Sequence, residues 1–328
     1  MAAAGLRGEV NRAALAFALR RAAATFALLL ALSLLVFALL YLAPGDVARN
    51  LLGTRNVTPE ALAGIRALHH LDEPFLAQYW WWLSHAMTGD FGTSIRTGGQ
   101  VGPLLLDRTG ITAATAGLAF LLSVLAGVPA GIATAVRRGR PLDRMLVAAS
   151  VVGVSAPGFA VGLILLYVFA LGLGWFPVYG TGEGFLDSLW HLVLPAVALA
   201  FGLGAFVVKL TRAAVIRELD QDYVTFARAR GLSERRVLRL VLRNAAIPIV
   251  TSLGLMVAYL FGGTVLIEVT FALPGLGSLM EESVLFKDIP VVQALTLVVA
   301  LVVSATALAV DLSYLAIDPR VRARAVRR

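Results

Sequence analysis

The sequence predicts an all-α integral membrane protein with six transmembrane helices and a folded external insertion after the first span. Three observations predict it. The 328 residues are 59% hydrophobic and 15% charged, with a mean hydropathy of +0.83, whereas soluble domains carry roughly 25% charged residues. Six windows, 22–42, 111–136, 145–178, 192–208, 248–267 and 289–310, contain no Asp, Glu, Lys or Arg, and a bilayer core needs about 20 apolar residues in a helix. The basic residues gather in alternate connections between those windows, the signature of a multi-pass chain.

The first window, 22–42, is too long for a signal-peptide core and runs into Pro44-Gly45-Asp46 rather than a small-residue cleavage site, so it reads as a retained span. The second window fits one helix. The third is longer than one span, and Gly172, Gly174 and Pro177 predict that its helix ends near residue 173. The fourth is short and must run past Lys209, whose stem can reach the interface. Pro157 and Pro195 predict bends in the third and fourth spans, and Pro248 marks entry to the fifth.

Orientation follows from charge. The N-terminal tail (1–21), the second-to-third connection, the stretch 209–247 and the tail 318–328 together hold 22 of the 28 basic residues. The alternate connections hold Arg49, Arg55, Arg66, Arg96, Arg108 and Lys287. Both termini are therefore expected in the cytoplasm of a multi-pass cytoplasmic (inner) membrane protein. The net charge of +8 lies beside apolar spans, against lipid, and does not point to nucleic acid.

The external insertion, 43–110, reads as structured. Thr58-Pro59-Glu60 is an N-cap, first-turn proline and early acid. Pro74 opens a second helix carrying Phe75, Tyr79, Trp80 and Leu83. Trp80-Trp81-Trp82 is either an interfacial belt or part of a docking surface for an external protein. His69 and His70 lack further ligands at metal spacing. Cysteine is absent, which removes disulfides and thiolate chemistry.

Segment 209–247 is basic and amphipathic, a helix–Gly–helix unit between spans. Asp220 or Asp222 can cap a short helix whose face carries Tyr223 with Ala227 and Phe226 with Arg230. Small Ala227 and Ala229 permit close approach to a partner's groove while an aromatic ring anchors it. Gly231 can adopt the left-handed conformation that ends the helix, and Ser233 can cap the next. The arginines also read as topology determinants.

No Gly-Lys-Ser/Thr phosphate loop surrounds Lys209 or Lys287, so ATP hydrolysis is not expected in this chain, and no catalytic constellation is recognisable. The apolar windows hold no carboxylate or amine of the kind that drives ion-coupled carriers. Glu268, Asp288 and Asp311 fall at the window edges, where solvated or helix-terminal roles are expected. An ion-gradient-driven secondary carrier and a non-transporting membrane scaffold remain the alternative readings.

The motifs along the chain carry a resemblance. They are Ala43-Pro44-Gly45-Asp46, Leu71-Asp72 with Pro74, Gln78-Tyr79, Gly89-Asp90-Phe91-Gly92 with Ser94, and Ala156-Pro157-Gly158-Phe159. They continue through Trp175-Phe176-Pro177, His191 with Leu194-Pro195, Arg243-Asn244-Ala245, Pro274-Gly275-Leu276-Gly277 and Asp318-Pro319-Arg320. In this order the chain resembles the B-type permease subunit of peptide- and nickel-type ABC importers, the oligopeptide/dipeptide permease family, with a type I importer fold.

The resemblance implies ATP-driven import of short peptides or related small solutes. It implies a second, C-type permease subunit, two cytoplasmic ABC ATPases carrying ATP and Mg, and an extracytoplasmic substrate-binding protein, with no cofactor in this chain. Stretch 222–232 is similar to the family's EAA loop, although Thr225-Phe226-Ala227 stands where other importers have Glu-Ala-Ala. By that resemblance Tyr223, Phe226, Ala227, Arg228, Ala229, Gly231 and Leu232 form the ATPase-coupling site. Met256, Tyr259 and Gly262 are the translocation-path candidates, and Asp46, Trp80, Trp81 and Asp90 the external docking candidates.

Overall fold

In the computed structural model, which describes residues 2–42, 45–52, 58–68 and 70–317, the chain is helical apart from turns and one isolated bridge pairing Thr93 with Gln100. Ala43 and Pro44 of the first motif, His69 and the tail 318–328 lie outside the described residues. The helices are α1 (Ala2–Leu42), α2 (Val47–Leu52), α3 (Pro59–Leu68), α4 (Phe75–Met87), α5 (Val101–Val136), α6 (Pro141–Ser155), α7 (Gly158–Leu165) continued by a π-helix (Leu166–Gly172), α8 (Gly184–Leu219), α9 (Asp222–Ala229), α10 (Glu234–Thr270), α11 (Leu276–Leu285) and α12 (Ile289–Ile317).

Among the described residues five helices are long and apolar enough to cross a membrane, and a sixth span exists if the bent pair of α6 and α7 with its π-helix counts as one. The bend there is 102°. Its cause is local: Pro157 disfavours helical geometry in the residue before it, and Ala156 sits extended at φ −75° and ψ 126°. Where the sequence predicts a bend in the third window, two helices therefore meet at a break. Its second half stops at Gly172, next to the expected end. Pro195 and Pro248, by contrast, lie inside the unbroken α8 and α10.

The helices outrun their charge-free windows. Helix α8 covers 184–219 and α10 covers 234–270, because a helix satisfies its own backbone whether its outer turns lie in lipid or beside water. Of the two roles expected for the edge carboxylates, Glu268 and Asp288 take the helix-terminal one and not the solvated one: Glu268 lies in the last turn of α10, and their exposures are 0% and 2%. Asp288 still ends a turn directly before α12.

The chain divides into two compact units. The larger is built on Ala113–Leu273, with the start of α1 and the end of α12. Its helices approach closely through small residues. A β-carbon on Gly131 of α5 would lie 2.6 Å from Cβ of Thr211 on α8, and one on Gly153 of α6 would lie 2.7 Å from Cβ of Ala205. On α10, Gly254 lies against Val310 and Gly263 against Leu199, whereas Gly262 is open.

The second unit comprises Ala24–Thr112 and Pro274–Ser304. Here α4 docks on the C-terminal half of α1 through rings: Phe37 meets Phe75, Tyr79 and Trp82 at centroid distances of 5.3–5.7 Å. A hydroxyl bond of 2.7 Å joins Ser33 and Tyr79, and Tyr41 donates to Gln78. A second apolar cluster joins Val101 and Leu105 of α5 to Leu276 and Leu279 of α11 and Val291 and Leu295 of α12.

Candidate functional site

Helix α9 is short and lies between the end of α8 and the start of α10. Neither Asp220 nor Asp222 caps it. The N-cap position is Gln221, with no side-chain cap bond, while Asp220 ends α8 and faces Arg138 at 3.1 Å. The C-terminus of α9 is closed by backbone geometry. Gly231 has φ +77°, the Gly231 N–H donates to Arg228 O at 2.9 Å, and the Leu232 N–H donates to Ala227 O at 3.2 Å. This is the six-to-one and five-to-two pairing of a Schellman stop, which needs a residue free to go left-handed.

The helix has two faces. Val224 (0% exposed) and Ala227 (8%) point into an apolar cluster with Ala135 of α5, Val215 of α8 and Val237 and Val241 of α10. Leu232 and Tyr223 pack against the same cluster. Ala227 is thus a correction: it was expected at a partner's groove and is instead occupied by the chain's own core. Thr225, Phe226 and Ala229 lie outward, and Phe226 is 65% exposed. The helical period that pairs Tyr223 with Ala227 put both on one face; what it could not tell was which face turns inward.

Polar contacts brace the unit. The Tyr223 hydroxyl donates to Glu218 Oε2 at 2.8 Å; burial first, then the Glu218 carboxylate, raise the phenol pKa against the opposing bond with Asn244. Arg228, expected as a topology determinant, makes a paired contact with Glu234 of α10 at 2.9 and 3.1 Å, and that carboxylate holds its pKa up. Both groups are largely exposed, so the pair orients more than it stabilises.

The path candidates separate. Met256 is fully buried within the chain and offers nothing to a solute, a second correction. Its repeat partners Ser252 and Leu260 are buried with it. Tyr259 is 57% exposed on the other side of α10 and meets Phe206 edge-on at 5.9 Å. Gly262 lies on the same open side. The i+4, i+7 spacing that groups Leu255, Tyr259, Gly262 and Leu266 on this stripe is the sequence signal for it.

The external candidates do not form one surface. Asp46 binds the Arg66 guanidinium at 2.7 Å and accepts the Ala48 N–H at 2.8 Å; the Arg66 contact is the first cause of its lowered pKa. Trp80 is exposed, and Trp82 packs on Phe37. Trp81 lies between the rings of His70 and His85 at 5.1 and 4.2 Å. Asp90 accepts the Gly92 N–H at 3.0 Å, and with Trp81 it lines a cavity beside Phe37, Gln78 and Phe91. No group of three His, Asp or Glu side chains able to hold a metal occurs among the described residues.

Comparison with known proteins places this arrangement. Residues 127–323 match the family described as binding-protein-dependent transport system inner membrane component, and residues 14–114 match the N-terminal part described for the same kind of membrane component. A probable peptide ABC transporter permease of Sinorhizobium fredii is 37% identical over 93% of this chain and 99% of its own length. The glutathione transport system permease of Salmonella typhimurium is 37% identical over 93% and 98%. In fold, the chain resembles the inward-facing MetNI methionine ABC transporter, with a TM-score of 0.53 at 18% identity over 66% of this chain and 96% of that one. The chain belongs to the family of binding-protein-dependent transport system inner membrane components, as a multi-pass permease subunit.

Proposed function

We propose that this permease lines half of the path of an ATP-driven importer for short peptides or related small solutes such as glutathione, and that α9 is where cytoplasmic ATPases push on it. The substrate class rests on the two relatives, a probable peptide ABC transporter permease and a glutathione transport system permease. The coupling role rests on one observation: α9 is packed into its own chain by Val224 and Ala227 while presenting Phe226 outward. A helix held on one side and bearing an exposed ring on the other can receive a partner's groove and pass its movement on.

Both termini then face the cytoplasm, as the distribution of Lys and Arg supports. ATP and Mg bind in the partner ATPases, a second permease supplies the opposing wall, and an external binding protein delivers solute. The open stripe of α10 with Tyr259 and Gly262 faces that wall.

The chain has no cysteine, so single cysteines report cleanly. In the assembled complex Phe226→Cys should crosslink to an ATPase subunit and Val224→Cys should not. Phe226→Ala should lower ATP-dependent uptake of glutathione or a short peptide roughly tenfold or more, the usual scale for an anchoring aromatic. Crosslinks from position 224 and none from 226 would overturn the assignment.

A further inference from the structure

The buried ion pair between α6 and α8 has no part in the coupling site as described above. Asp143, in the first turn of α6, has a side chain only 6% exposed. It accepts Nε of Arg212 at 2.8 Å and Nη2 at 3.0 Å, a two-point grip, and also the backbone N–H of Gly139 at 2.8 Å. Arg212 stands on α8, two turns before that helix ends at Asp220. Close by, Arg138 of the same α5–α6 turn reaches Asp220 at 3.1 Å. The turn is thus tied at two points to the stretch of α8 that leads directly into α9.

The apolar cluster beneath α9 gathers residues of α5, α8, α9 and α10, and none from α6. Apolar contacts can slide; a two-point guanidinium–carboxylate pair fixes orientation as well as distance. Helix α6 begins the bent pair that ends at Gly172. We propose that Asp143 and Arg212 are a positioning pair that makes α6 move as one body with α8 and α9, so that a push on α9 reaches the broken span. Without the pair, the start of α6 would follow α8 only through the apolar packing that meets it further along, where Gly153 lies against Ala205. The inference rests on α9 being the contact for the ATPases.

The test uses the complete complex with its ATPases and needs no known solute. Spin labels on Met145→Cys, exposed on α6, and Gln221→Cys, at the start of α9, report their separation without nucleotide and with Mg-ATP plus vanadate. With the pair intact, the two distributions should coincide. In Arg212→Lys, which keeps charge but loses the two-point grip, and in Asp143→Asn, adding nucleotide should shift or broaden the distribution. If Asp143→Asn does not assemble, Arg212→Lys carries the test. A parent whose labels separate on nucleotide binding, or an Arg212→Lys complex indistinguishable from the parent in both states, would overturn the proposal. Absence of the Phe226→Cys crosslink in the complex that keeps Asp143 and Arg212 would instead remove the coupling assignment, so the two failures are told apart.

Discussion

The sector around α9 and the sector around the 88–100 loop with α11 are both small structures set between long spans, yet they are held in different ways. Helix α9 satisfies its own backbone, closes with Gly231, and is fixed by apolar packing beneath and by exposed ion pairs at its edges. The outer sector is sewn by buried side chains. Asp288 accepts the Ser94 hydroxyl and the N–H groups of Ile95 and Arg96, at 3.0 and 3.3 Å for the latter two. Thr112 accepts the Leu276 N–H at 2.7 Å, and Gln293 donates to the Val36 carbonyl at 3.1 Å. The difference follows from backbone geometry. Irregular chain buried among apolar helices has donors that only side chains can satisfy. A regular helix can be held by apolar packing alone; an irregular loop enclosed among helices is stitched by side chains.

That contrast predicts where polar substitutions hurt most. Asp288→Ala strands the buried Ser94 hydroxyl and the half-buried Ile95 N–H, each costing about 1–3 kcal/mol when left unpaired away from water, whereas the N–H of the exposed Arg96 can turn to solvent. The sector of the 88–100 loop and α11 should therefore lose on the order of 2 kcal/mol or more of local stability. Hydrogen exchange in detergent should show the Ile95 and Arg96 amides opening while Val224 and Ala227 of α9 stay protected. Equal loss in both sectors would mean that the two are not independently held. Asp288→Asn, which keeps one acceptor, should fall between parent and Ala.

A milder break lies in the other sector. Gly231 is left-handed at φ +77° with nothing within 4 Å of where a β-carbon would stand. The cost of Gly231→Ala is therefore conformational alone, about 1 kcal/mol. Gly231→Pro adds the loss of the N–H that meets Arg228 O and a ring locked near φ −65°, and should uncouple ATP hydrolysis from uptake while insertion into the membrane persists. Hydrolysis and uptake measured on the reconstituted complex decide it. Normal uptake by Gly231→Pro would mean that α9 carries no force.

What the sequence made legible follows the same division. Periodicity and charge located the spans, the helix–Gly–helix unit and the left-handed stop, because each is written in neighbouring residues. The break at Ala156-Pro157 was visible as a proline, but its angle depends on packing. Facing was harder. Tyr223 and Ala227 were correctly placed on one side of α9, yet inward and outward are set by partners hundreds of residues apart in some cases, and the resemblance that grouped Met256 with Tyr259 and Gly262 carried no facing. Asp143 with Arg212 and Asp288 with Ser94 are separated by 69 and 194 positions. No local pattern marks such pairs. A charge at a window's edge looked solvated for that reason, and Asp288 turned out to be enclosed.

The smallest effect belongs to a contact that resembles those of the outer sector but lies at its surface. Asp46 takes the Arg66 guanidinium and the Ala48 N–H, and its pKa is lowered from 3.8 by Arg66 first and the Ala48 bond second. A carboxylate with a depressed folded value contributes stability that is fully present above the unfolded value and disappears as pH falls through the folded one. Its side chain is 44% exposed, so solvent screens the pair and the contribution is slight. Comparing Ala48 amide exchange in the parent with that in Asp46→Ala should show a small excess of protection in the parent near neutral pH. The excess should hold down to about pH 4 and shrink only below 3.8, where Asp46 takes up its proton. An excess that persisted unchanged well below that point would mean that the bond to Ala48, and not the charge on Asp46, holds the start of α2. Exposed pairs would then be as indifferent to pH as the buried stitching around Asp288 is intolerant of substitution.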